Sequence, residues 1–277
     1  MNGRRAVLGL LVCCALLASA FAAASASAAS NGTTLFTCKE TGEGGGFTKS
    51  HCKPGDAGSG KFSHVAVPEN TTTDISITNA ETANNTTEST KAVLKTELGG
   101  VEVLITSIPQ LQATGTVQNK KDPVTGEHYF EGEIFITLSE VTDIAPFHCE
   151  VYEDPASGET GAWGVIRLSA KLSSKGQGDS VKFTPASGTE FGHYELANCK
   201  GEQPGPNGTY KLVGSFACKP DGATINCDHA EVTKQKTLRL QSAIGPILGF
   251  AASMALRGRP KGEEGKYTPL SPTTVAT

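Results

Sequence analysis

Three groups of residues have types and spacings that chemistry could use. Glu131 and Glu133 stand at i and i+2 in a run of period two, which puts both carboxylates on one side of a predicted strand near Phe135. Along a strand they lie about 7 Å apart, and glycosidases use carboxyl pairs roughly 5 to 9 Å apart as acid and nucleophile or base. Catalysis also needs one carboxyl in an apolar pocket, where burial makes it hold its proton. Two glutamates at i and i+2 are equally what the wet side of a strand looks like, and that reading is preferred. Ser180 lies in Gly178-Asp179-Ser180-Val181, similar to the nucleophile block of secreted lipases and esterases with a Gly-Asp-Ser-Leu motif. In that family the block lies near the N-terminus with a late Asp-x-x-His partner. Here it is mid-chain, no Asp-x-x-His follows, and a polar hairpin loop is the plainer expectation. Trp163, the only tryptophan, could form a sugar-stacking platform with Tyr152 or Tyr194, or could cap a core at the start of a strand, which is the reading preferred.

The other familiar signatures are missing. There is no H-E-x-x-H, G-x-S-x-G, P-loop or calcium-loop motif, and the six histidines are scattered. His148-Cys149 and Cys227-Asp228-His229 invite a zinc reading, but no C-x-x-C pair accompanies them. No metal and no cofactor is expected.

The compartment is read from the first residues. Arg4 and Arg5, an apolar run from Ala6 to Ala24, and Ala24-Ser25-Ala26 with Ala26-Ser27-Ala28 make up a secretory signal peptide over residues 1–28. Its removal takes Arg4 and Arg5 away and leaves 22 basic against 28 acidic residues, a formal charge of −6. A mildly acidic surface with no basic stripe makes nucleic acid a poor partner. No membrane-spanning segment is expected in the mature chain. Two of the eight cysteines go with the leader, and Cys38, Cys52, Cys149, Cys199, Cys218 and Cys227 remain. In an oxidising compartment they read as disulfides. Short loops favour Cys38–Cys52 and Cys218–Cys227, which leaves Cys149–Cys199; the rival scheme pairs Cys199 with Cys218 and Cys149 with Cys227.

The elements that must position these groups are strands. Residues 29–90 form a Cys- and Gly-rich segment followed by a polar stretch read mainly as linker, although Ile75 and Ile77 alternate like a short strand. Residues 91–277 carry period-two alternation throughout, clearest where Ile166, Leu168, Ala170 and Leu172 interleave with Arg167, Ser169 and Lys171. Leu98-Gly99-Gly100 reads as a tight hairpin. A turn formula recurs at Asp122–Gly126, Asp154–Gly158 and Thr184–Gly188, with proline presetting φ and glycine closing the turn. The expectation is an all-β chain, an antiparallel β-sandwich or β-barrel with an N-terminal disulfide-closed segment.

The stretch Phe183 to Leu196, Asn207-Gly208-Thr209-Tyr210 with Gly214-Ser215, the tail Pro269 to Val275 and the opening Thr34-Leu35-Phe36-Thr37-Cys38 resemble a group of uncharacterised secreted proteins of GC-rich soil bacteria. The resemblance implies bacterial export and an all-β body; that group has no established activity, so no functional residue carries over. Two functions are therefore expected in order. The first is an exported, non-catalytic β protein of cell surface or matrix, binding a carbohydrate or another cell-envelope ligand. The second is a secreted hydrolase of polysaccharide or ester that uses Glu131, Glu133 or Ser180.

Overall fold

The computed structural model describes residues 30–50, 52–80, 92–98, 101–145, 147–153, 161–200, 207–227, 239–241 and 247–276. The expected leader, Gly99-Gly100 and the Asp154–Gly158 turn lie outside them. Strands in chain order are β1 (Ser30–Phe47), β2 (Ala57–Ala66), β3 (Thr73–Asn79), β4 (Ala92–Leu98), β5 (Val101–Ile108), β6 (Gln110–Lys121), β7 (His128–Ser139), β8 (Thr142–Ala145) and β9 (Glu150–Glu153). They continue as β10 (Ile166–Ser173), β11 (Val181–Pro185), β12 (Glu190–Ala197), β13 (Gly208–Val213), β14 (Phe216–Asp221), β15 (Thr224–Cys227), β16 (Arg239–Gln241), β17 (Ile247–Pro260) and β18 (Thr268–Ala276). A 3-10 turn at Pro54–Asp56 is the one helical element among the described residues.

Eight strands close into an antiparallel barrel. Around the ring the order is β7, β10, β11, β14, β15, β17, β3, β6 and back to β7. Of the two folds expected, the barrel is the one formed. The alternation read from the sequence is its inside and outside: Ile166, Leu168, Ala170 and Leu172 are buried while Arg167 and Lys171 are exposed. Closure removes the free edges that an open sheet would leave to aggregation. Gly115 and Gly132 let β6 and β7 run close together, since a Cβ there would come within 2.0 Å of the Glu133 carbonyl oxygen and 2.1 Å of that of Thr116. The polar stretch expected to be mainly linker supplies a wall strand, β3, whose Ile75 and Ile77 are buried. Its period of two was the correct signal: Thr73 is buried with the two isoleucines, and Thr78 lies on the wet face.

The interior is a packed core. A void of about 30 Å³ remains, lined only by apolar side chains including Phe183, Phe216, Phe250 and Met254. It has room for about one water and nothing to bond it. An apolar inside and a polar outside is also the reverse of a lipid-spanning barrel. No helix among the described residues is long and apolar enough to cross a membrane.

Both ends of the barrel are covered. At one end a second sheet runs β9, β12, β13, β16, β17, β4, β5, β8. It shares β17, whose first residues pair with β4 and whose last pair with β3. Leu94, Phe191 and Leu212 of this sheet reach the barrel void. At the other end lies β1, paired with β18 on one side and β2 on the other. Leu35 is fully buried there.

Three disulfides are present: Cys38–Cys52, Cys149–Cys199 and Cys218–Cys227. They follow the loop-length ordering, and the rival scheme is excluded. Cys38–Cys52 closes the N-terminal hairpin, as expected. Cys218–Cys227 joins neighbouring barrel strands β14 and β15, and Cys149–Cys199 ties the start of β9 to the end of β12. The Asp122–Gly126 turn links β6 to β7: the Asp122 carboxylate accepts from the Val124 and Thr125 amides and pairs with Lys175 at 2.6 Å.

Candidate functional site on the Trp163 face

The expected catalytic residues come to rest on the barrel's outer wall. Glu131 and Glu133 do share one side of β7, where with Lys120, Lys171 and Lys261 they line an open, mostly polar groove of about 640 Å³ on the wet outer wall. Glu131 pairs with Lys120 at 2.5 Å and Glu133 with Lys171 at 3.5 Å. Each carboxylate faces an ammonium, and no apolar pocket surrounds either. Ser180 sits in the loop between β10 and β11, and its hydroxyl hydrogen-bonds to Asp179 at 3.4 Å; no histidine bonds it among the described residues. Cys149 and Cys227 are oxidised in disulfides, so neither offers the thiolate that a zinc site would use.

Trp163 is different. Its indole is 64% exposed, contrary to the preferred expectation of a core cap. The backbone around it is tightly held: Gly164 N–H donates to Val151 O at 2.7 Å, Glu153 N–H to Ala162 O at 3.0 Å, and Val141 N–H to Gly164 O at 2.9 Å. Gly161 is required, because a Cβ there would lie 1.6 Å from the Glu153 carbonyl oxygen. A segment pinned in this way presents its side chain in one place, which lowers the entropy lost when a ligand settles on it.

Trp163 forms an antiparallel bridge with Tyr152. Directly opposed residues in such a pair project to the same face. The row continues through β12 and β13, as Tyr152 opposes Glu195 and Glu195 opposes Thr209. Trp163, Tyr152, Glu195 and Thr209 therefore line up across one solvent-facing surface. Of the two partners expected for Trp163, Tyr152 is the one chosen; Tyr194 is fully buried and stacks on Tyr210 with centroids 5.7 Å apart.

Beside the aromatic pair lies a polar cluster. Glu150, two residues before Tyr152 and on the same face, accepts from the Tyr152 hydroxyl at 2.7 Å and from the Asn198 amide at 2.5 Å. The Asn198 bond above all, then the Tyr152 bond, hold the Glu150 carboxyl below its usual value, while Glu150 raises that of the Tyr152 phenol. At neutral pH this face thus presents an ionised acceptor, Glu150, with the amide of Asn198 and the hydroxyl of Thr209 nearby. Glu150, Glu195 and Asn198 escape sequence reading, because the disulfide and two strand pairings bring them beside Trp163.

Compared with protein-family models, with curated proteins and with solved structures, the chain matches none.

Proposed function

We propose that the protein is exported and non-catalytic, and that it binds carbohydrate of the cell surface or matrix through the face carrying Trp163 and Tyr152. The observation that carries this reading is a rigidly held, exposed indole beside a second aromatic and a cluster of planar polar groups. A pyranose ring has an apolar face of C–H bonds and a rim of hydroxyls. The aromatic pair suits the first; Glu150, Glu195, Asn198 and Thr209 suit the second. With two carboxylates, Glu195 in the row and Glu150 beside it, the face favours neutral sugars or amino sugars and repels uronate or phosphate. Three disulfides support life outside the reducing cytoplasm, and the leader at residues 1–28 would deliver the chain there. The hydrolase reading gains no support from two lysine-paired glutamates in an open groove without an apolar pocket for either carboxyl.

The test is co-sedimentation of purified protein with insoluble neutral and amino-sugar polysaccharides. Wild-type protein is expected in the pellet with at least one of them. Trp163→Ala is expected to stay in the supernatant while keeping its unfolding midpoint, because an exposed side chain contributes little to stability. Equal retention of Trp163→Ala and wild type would rule the face out.

A further inference from the structure

A separate groove of about 550 Å³ opens between the β1–β2 hairpin, the outer side of β18 and the β11–β14 side of the barrel. Concavities of roughly 300 to 1,000 Å³ are the size that holds small molecules. One wall is apolar: the rings of Phe47 and His64 lie with centroids 4.6 Å apart, next to the Cys38–Cys52 bridge. The Nε2 atom of His64 is buried there without a hydrogen-bond partner among the described residues. Two contacts hold the groove's sides together, Lys53 to Asp221 at 3.2 Å and the Thr33 hydroxyl to Gly178 O at 2.6 Å.

The floor is the edge of β18. On one side β18 pairs with β1 from Leu270 to Ala276; on the other it is bonded to β17 only at Thr268 and Pro269. An open edge usually recruits another strand, but Pro272 in its middle has no amide hydrogen to donate. The groove is thereby closed to a pairing strand, yet Thr273 and Thr274 line it. Asp179 and Lys219 line it as well. Both are exposed, and neither forms an ion pair with the other or with any described residue. Opposite charges that share a groove without closing on each other can both be met by one ligand of complementary charges.

We propose that this groove binds a zwitterionic α-amino acid with an apolar side chain. Its ammonium meets Asp179, its carboxylate meets Lys219 and the threonine hydroxyls, and its side chain lies against Phe47 and His64. The inference is independent of carbohydrate binding at Trp163.

Nuclear magnetic resonance titration of the full chain with L-phenylalanine tests it, alongside N-acetylphenylalanine, which lacks the ammonium, and phenylalanine amide, which lacks the carboxylate. Saturable, millimolar-range binding of L-phenylalanine is expected. Asp179→Asn should weaken L-phenylalanine about fivefold, the effect of losing one exposed charge pair, and leave N-acetylphenylalanine unaffected. Lys219→Gln should weaken L-phenylalanine similarly and leave phenylalanine amide unaffected. Both positions are exposed, so both variants are expected to fold, as circular dichroism would verify. Trp163→Ala should change nothing, which separates this groove from the sugar face. Absence of saturable binding by the wild type, or losses that ignore which charge the ligand lacks, would overturn the proposal.

Discussion

Asn119 grips Leu35 by both halves of its backbone: Oδ1 accepts from the Leu35 N–H at 2.9 Å, and Nδ2 donates to the Leu35 carbonyl at 2.9 Å. The same amide donates to the Val67 carbonyl at 2.8 Å. The Asn119 side chain is buried and takes the place of a neighbouring strand for β1 as it crosses the barrel end. Ser174 does similar work alongside, accepting from the Phe130 amide at 2.9 Å and donating to the Thr33 carbonyl at 2.7 Å.

Asn119→Ala deletes three hydrogen bonds and strands the Leu35 amide and the Val67 carbonyl away from water, while the Leu35 carbonyl keeps its bond from the Val67 amide at 3.2 Å. At about 1 kcal/mol for each bond, with desolvation of the orphaned groups added, the loss is roughly 3 kcal/mol or more. Urea unfolding monitored by circular dichroism would measure it. A loss under about 1 kcal/mol would mean that water replaces the amide and that β1 is not latched in this way.

His64 makes stability depend on pH. Burial lowers its affinity for a proton below the usual value of 6.5, and the Cys52 backbone only partly opposes this. The unfolded chain then binds the proton more readily than the folded one. Stability is therefore full above about pH 6.5, declines as pH falls from there toward the lowered folded value, and levels off below it. His64→Phe keeps a ring against Phe36 and Phe47 and is expected to flatten that decline. A wild type and variant with parallel pH profiles between 7 and 5 would refute the assignment.

The three disulfides should rank by the loops they close. Sequence separations of 50, 14 and 9 residues correspond to about 4, 3 and 2.6 kcal/mol in the chain-entropy model. Replacing each pair by alanine in turn should cost most for Cys149–Cys199. That bridge also fixes the strands that carry Tyr152 and Glu195, so its removal should weaken polysaccharide retention as well. Retention unchanged in a folded Cys149→Ala/Cys199→Ala variant would show that the face does not need it.

Glu131→Gln and Glu133→Gln break exposed ion pairs with Lys120 and Lys171. Each should change stability by less than about 1 kcal/mol and leave carbohydrate binding untouched. A hydrolytic activity that either substitution abolished would restore the enzyme reading.

Much of this fold was legible in the residues. The alternation from Ile166 to Leu172 named both faces of β10, and loop length alone ordered the disulfides. Closure was not legible. It depends on β17 meeting β3 and on β11 meeting β14, contacts between segments far apart in the chain that no local pattern encodes. Tyr210, Leu212, Phe216 and Cys218 are all buried at even spacings, yet they fall on β13 and β14 in different sheets. Asn119 did leave a trace: it occupies the inward position after Ala113 and Val117, where an apolar residue would be expected. Trp163 left none. Its exposure follows from the bridge to Tyr152 and the close approach at Gly161, both of which exist only once β9 is in place.

Trp163 is the chain's only tryptophan, so its fluorescence reports on the proposed face without any label. The most direct measurement is a titration of that emission, with iodide present as a quencher, against soluble neutral and amino-sugar oligosaccharides. Without ligand, the account predicts red-shifted, readily quenched emission. With a bound oligosaccharide, it predicts a saturable blue shift and protection from iodide. Emission that is already blue and unquenched in the free protein, or that stays unchanged through every titration, would contradict it.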